Sequence, residues 1–203
     1  MVTHQFFWMA SRAFGTIAII LLGLTVGAGL SMSGRLLRRP GLSSRLRRFH
    51  EAAALVTVGL IATHAGLLLL DSYLKPALTG ITVPFVLGYR TPFTGVGILA
   101  GWLSLLFAIS FYLRQRIGVR TWRRLHRFTI VAYFLALGHA LGAGTDARTP
   151  WMVATLAGLT APIAFAFSLR VLGTARPAAG PRGWRATPVR DVAARGAARR
   201  AAP

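Results

Sequence analysis

Cysteine is absent from the chain, and only 4 acidic residues stand against 24 lysines and arginines in 203 positions. The missing thiols exclude disulfides, thiolate-held metals, iron-sulfur clusters and covalent c-type haem attachment. With carboxylates so scarce, any metal has to be held mainly by histidine. Charge is also missing from several long apolar runs, in a chain that is 54% hydrophobic with a mean hydropathy of +0.56. No soluble core absorbs such runs, so the composition is that of a polytopic membrane protein. The formal charge of +20 would point to nucleic acid in a soluble protein. Here nearly all of it falls in short segments between the apolar runs, where it sets membrane topology instead.

What is present is a series of about five spanning helices. The first apolar run, Phe14 to Leu30, has the length needed to cross a hydrocarbon core of about 30 Å. Reading it as a signal peptide is disfavoured, because cleavage near Gly27-Ala28-Gly29 would leave the Arg-rich segment behind it to be translocated. Gly23 and Gly27 have the small-xxx-small spacing that lets helices approach closely. The next segment carries Arg35, Arg38, Arg39, Arg45, Arg47 and Arg48 around Pro40-Gly41 and reads as a cytoplasmic loop.

A second helix is expected from His50 to Leu70, and Asp71 marks its far end. Residues 71–92 carry only Lys75 and Arg90 and include a run, Ile81 to Leu87, that is too short to span and is broken by Pro84. They read as an outer loop or re-entrant segment shielded by protein. A third helix, Val96 to Leu113, leads into Arg114, Arg116, Arg120, Arg123, Arg124 and Arg127, the second basic connection. A fourth runs from Leu125 to Ala143, and a fifth from Trp151 to Leu169 behind Pro150. The membrane domain is therefore residues 1–172. Residues 173–203, rich in Arg, Ala, Pro and Gly, read as a basic, disordered cytoplasmic tail. The alternation puts 20 basic residues on one side and 4 on the other, which predicts an all-α bundle with its N-terminus outside and its C-terminus in the cytoplasm, as a multi-pass protein of the cell membrane.

Four of the 5 histidines fall in the second and fourth helices, where arginines precede each first histidine. Those helices, separated by one span, run in the same direction. His50 and His126 therefore match in depth near the cytoplasmic face, and His64 and His139 match 14 and 13 residues farther along. At the helical rise these intervals are about 21 and 20 Å. Each level offers one imidazole from each helix. Two facing imidazoles supply both axial positions of an iron porphyrin, a coordination suited to electron transfer. On a straight helix, however, 13 residues fall about 140° short of four turns, so His126 and His139 would not share a face. Gly66, Gly138 and Gly142 beside the outer histidines would leave room for a macrocycle. Arg47, Arg48, Arg123, Arg124 and Arg127 are candidate propionate partners at the inner level, and Arg90, Arg148 and Lys75 at the outer one.

This pattern resembles the ferric reductase-like transmembrane family, which includes the membrane domain of the NADPH oxidases and the haem-binding subunit of the bacterial methionine sulfoxide reductase system. The resemblance rests on His50-x13-His64 and His126-x12-His139, on Pro84-Phe85 with Tyr89-Arg90, on Trp122-Arg123-Arg124-Leu125-His126 and on Gly144-Thr145-Asp146. It covers about residues 10 to 172. It implies two b-type haems, one held by His50 with His126 and one by His64 with His139, in a membrane oxidoreductase subunit. Many relatives also carry a sixth helix and a flavin and nicotinamide domain, and this tail has neither the length nor a glycine-rich nucleotide fingerprint. Electrons would then come from a separate flavoprotein or from quinol and leave to an external acceptor. Two other classes compete: a proton relay or metal transporter built on intramembrane histidines, and a non-redox membrane anchor. No hydrolase triad or P-loop supports other enzyme chemistry.

Overall fold

The computed structural model describes residues 2–33 and 42–172. Arg35, Arg38 and Arg39 of the first basic loop and the expected tail, 173–203, lie outside the described residues. Among the described residues seven helices make up the fold: α1 (Val2–Ser33), α2 (Leu42–Leu69), α3 (Leu78–Thr82), α4 (Thr91–Ile117), α5 (Val119–His126), α6 (Thr129–Ala143) and α7 (Pro150–Val171). There is no strand among the described residues. Four helices, α1, α2, α4 and α7, are long and apolar enough to cross a membrane.

Local chemistry explains the boundaries. Pro92 and Pro150 occupy the first turns of α4 and α7, where a missing N–H costs nothing. Gly118, at φ +85°, adopts a conformation that side chains rarely allow and separates α4 from α5. Hydroxyls inside the helices donate back to carbonyls of their own helix: Thr25 to Leu21 (2.7 Å), Thr57 to Ala53 (2.7 Å) and Ser104 to Ala100 (2.8 Å). Each buried hydroxyl is thereby satisfied without a partner helix. Between α2 and α4, the carboxylate of Asp71 accepts from the backbone of Tyr73 and Leu74. The indole of Trp102 donates to the Thr82 carbonyl at 2.8 Å, tying α3 onto α4.

The expected fourth helix is broken. Its first part belongs to α5, which begins at Val119, and α6 resumes at Thr129. Across the break, Arg127 and Phe128 donate to carbonyls only three residues back, those of Arg124 and Leu125. Such a tight turn advances about 120° per residue, against about 100° in an α-helix. It takes up part of the angular shortfall between His126 and His139, and it lies near His126, far from Gly138. α6 alone, with 15 residues, rises about 22 Å, less than a hydrocarbon core.

Four helices form a square. α1 packs on α2 and α4 on α6, each as an antiparallel pair, and the α1–α6 and α2–α4 sides are both sparser. The dense core lies on one side, where Ile19, Leu22 and Val26 of α1 meet Ile130 and Tyr133 of α6 and Met152, Leu156 and Ile163 of α7. Tyr133 is fully buried, and its hydroxyl is 2.9 Å from that of Thr160 on α7. Gly23 meets the Tyr133 ring and Leu159, so the small-residue spacing on α1 serves this contact. Outward faces carry exposed apolar side chains such as Leu55, Val56, Leu106, Ile109 and Phe165, as lipid contact requires.

Candidate functional site

The middle of the square belongs to the histidines. α2 and α6 stand at opposite corners, and the α2 imidazoles meet His126, at the end of α5, and His139, on α6, across the centre at two levels. The ring centres of His50 and His126 are 5.9 Å apart and those of His64 and His139 are 6.2 Å apart, with ring planes at 85° and 73°. All four sequence-predicted residues are therefore brought together, in the pairs expected from depth.

Three of the four rings are held in the same way. The Nδ1–H of His50 donates to the Thr25 carbonyl (2.9 Å), that of His64 to the Ser11 carbonyl (2.8 Å) and that of His139 to the Phe93 carbonyl (2.9 Å). Ser11 does more, because its Oγ also lies 3.0 Å from His64 Nδ1 while its hydroxyl donates to the His64 carbonyl. In each case a glycine sits four residues beyond the accepting carbonyl, one turn along the neighbouring helix. A Cβ on Gly15 would come 2.8 Å from His64, one on Gly29 would come 3.2 Å from His50, and one on Gly97 would run into His139 more closely still. Glycine is what lets the ring lie against the backbone and reach its carbonyl.

Anchoring Nδ1 leaves Nε2 as the nitrogen available toward the opposite ring, and the hydrogen bond raises its basicity as a metal ligand. Two metal–imidazole bonds of about 2 Å, plus about 1.1 Å from each nitrogen to its ring centre, put the centres about 6.3 Å apart. Both observed separations suit one metal ion between each pair. No group of three or more His, Cys, Asp or Glu among the described residues could hold a bare ion. Two facing imidazoles at these separations fit an iron porphyrin held between them.

A cavity of about 510 Å³ surrounds the outer pair, with a mostly apolar lining that includes Gly15, Gly66, Gly97 and Trp102. Its size falls within the range of cofactor sites, roughly 300–1,000 Å³. Its polar lining includes Arg12, Tyr89, Thr145 and Asp146. Arg12 pairs with Asp146 and lies over the Trp8 ring, 4.4 Å from its centre. Arg90, expected at this level, instead donates to the Gly142 carbonyl at 2.9 Å and shares a separate outer cleft with Arg148. Of the glycines expected to clear space, Gly66 lines the cavity and Gly138 has open space around it. Gly142 is covered by the Phe93 ring.

Sequence reasoning missed Gly15, Gly29, Gly97 and Arg12. The signal was present for two of them: Gly15 and Gly29 are separated by 14 residues, the same interval as His50 and His64 on the antiparallel partner.

Comparison with protein-family models, with curated proteins and with solved structures finds no match.

Proposed function

We propose that the protein is a di-haem, b-type electron-transfer subunit of the cell membrane that carries electrons from one face of the bilayer to the other. The carrying observation is the pair of opposed imidazole couples, each at a separation suited to one shared metal ion, with three of the four rings oriented by backbone carbonyls. This reading agrees with the resemblance to the ferric reductase-like family. In it, α5 and α6 together make a fifth crossing, and the basic loops face the cytoplasm with the N-terminus outside.

His50 with His126 would hold the inner haem, and His64 with His139 the outer one. Bound haem would supply one-electron chemistry. The chain's own residues do the rest. Thr25, Ser11 and Phe93 fix the tautomer and direction of three ligands, and the glycines admit the rings. The apolar lining would keep the outer site poor in water, and Arg12, which lines it, would supply positive charge for a propionate. The levels are 14 residues apart on α2, about 21 Å along the helix, so electrons would pass from inner to outer haem without side-chain redox. A separate flavoprotein or quinol would be the donor, with an external acceptor.

The test is a dithionite-reduced minus oxidised spectrum of purified protein, with haem and protein quantified on the same sample. Sharp b-type bands and about two haems per chain are expected from two bis-histidine levels. A colourless protein after expression with ample haem would overturn this reading.

A further inference from the structure

One of the four histidines differs from the others in every respect that fixes a ligand. His126 Nδ1 is buried with no hydrogen-bond partner among the described residues. The residue ends α5 instead of lying inside a long helix, and the tight turn at Arg127 and Phe128 follows it directly. Its ring is held by faces and edges alone: Trp122 stacks on it with centres 5.0 Å apart, and Phe107 meets it edge-on at 6.5 Å. Aromatic contacts of this kind fill space but do not fix a ring's rotation as a hydrogen bond does.

On α4, Gly97 faces His139, but the residues that meet the inner site there are Phe107, whose ring is edge-on to His126, and Phe111, whose ring centre lies 6.0 Å from that of Trp122. Where the other three histidines lie against a glycine and reach a backbone carbonyl, His126 lies against aromatic rings. His50, across the gap, keeps its anchor on Thr25.

We propose that His126 is an exchangeable axial ligand and that the inner site, unlike the outer one, binds a small neutral iron ligand of the carbon monoxide class. This rests on the haem reading above. In the exchange, His126 leaves with the Nε2 lone pair and its Nδ1 proton, and the incoming molecule donates its own lone pair to the vacated position. No electron changes hands. His50 stays as the fixed ligand on the other side, and the outer pair, anchored at both rings, stays closed.

The experiment is carbon monoxide titration of the dithionite-reduced, full-length protein, followed by absorption with haem counted. About half of the haem should take carbon monoxide, and a His64→Ala/His139→Ala double variant, retaining only the inner haem, should take it completely. A two-haem protein in which neither haem or both haems react overturns the proposal and leaves the electron-transfer reading standing. The fraction of haem that reacts in the wild-type protein is a readout that remains should the double variant fail to fold. A protein without haem brings down the parent reading instead.

Discussion

Gly15 and His64 touch across the α1–α2 interface so closely that a single added carbon on Gly15 would lie 2.8 Å from the imidazole Nδ1. The same ring nitrogen donates to the Ser11 carbonyl one turn away. Contact and hydrogen bond are two aspects of one arrangement, because the bond forms only where the backbones come this near.

Substituting these glycines should therefore act on the histidines. Gly15→Ala and Gly97→Ala should each loosen haem retention at the outer level by about 10–100-fold, the usual effect of losing a ligand's supporting bond. Gly29→Ala, with its carbon 3.2 Å from His50, should have a smaller effect at the inner level. Gly66→Ala meets nothing within 4 Å and serves as the control. Haem-to-protein ratios after detergent washing would rank the four, and a Gly15→Ala protein as fully loaded as Gly66→Ala would refute the account.

The ring pairs predict which losses go together. His64→Ala and His139→Ala should remove one spectral component, and His50→Ala and His126→Ala the other, because the centres pair at 6.2 and 5.9 Å. Low-temperature spectra of the four variants check this. Loss of a common component in His50→Ala and His64→Ala would contradict the cross-bundle pairing.

Arg12 and Asp146 both line the outer cavity and carry opposite charges. Positive charge near a haem favours its reduced state. Arg12→Ala should lower the outer midpoint potential and Asp146→Asn should raise it, in redox titrations at fixed pH. The effect of either change on stability should be small, about 0–1 kcal/mol, because both side chains are partly exposed. Movement of both potentials in the same direction would show that the pair acts through structure rather than charge.

Tyr133 offers a test of the fold apart from the cofactor. Its hydroxyl, fully buried, bonds that of Thr160 between α6 and α7. Tyr133→Phe should lower thermal stability while leaving haem content unchanged. A double-mutant cycle with Thr160→Val should give a coupling of about 0.6 kcal/mol, up to roughly 1.7, as for other hydrogen bonds between membrane helices. Loss of haem in Tyr133→Phe would mean that the α1, α6 and α7 core bears on the site directly.

Much of the site is legible in one dimension, for reasons that the structure makes concrete. Matching His50 to His126 and His64 to His139 needs only helix direction and residue count. The break after His126 is hidden because Arg127-Phe128-Thr129 contains neither glycine nor proline to mark it. Arg12 is hidden for another reason: its partner Asp146 is 134 positions away, and an arginine beside an apolar run reads first as a topology signal. Gly15, Gly29 and Gly97 look like ordinary membrane glycines until they are aligned with the antiparallel helix. Their meaning is relational, and local composition does not contain it.

The uneven packing of the square has a consequence for loading. Each anchored histidine is clamped by the helix beside it, α1 for His50 and His64 and α4 for His139, and not by the helix it faces. The ligand set is thus prepared within two hairpins before any guest arrives. Among the described residues the buried apolar cluster at α1, α6 and α7 holds the hairpins together on the α1–α6 side, and the α2–α4 side opposite it has no such cluster. A flat cofactor entering from the lipid would meet the least apolar packing between α2 and α4.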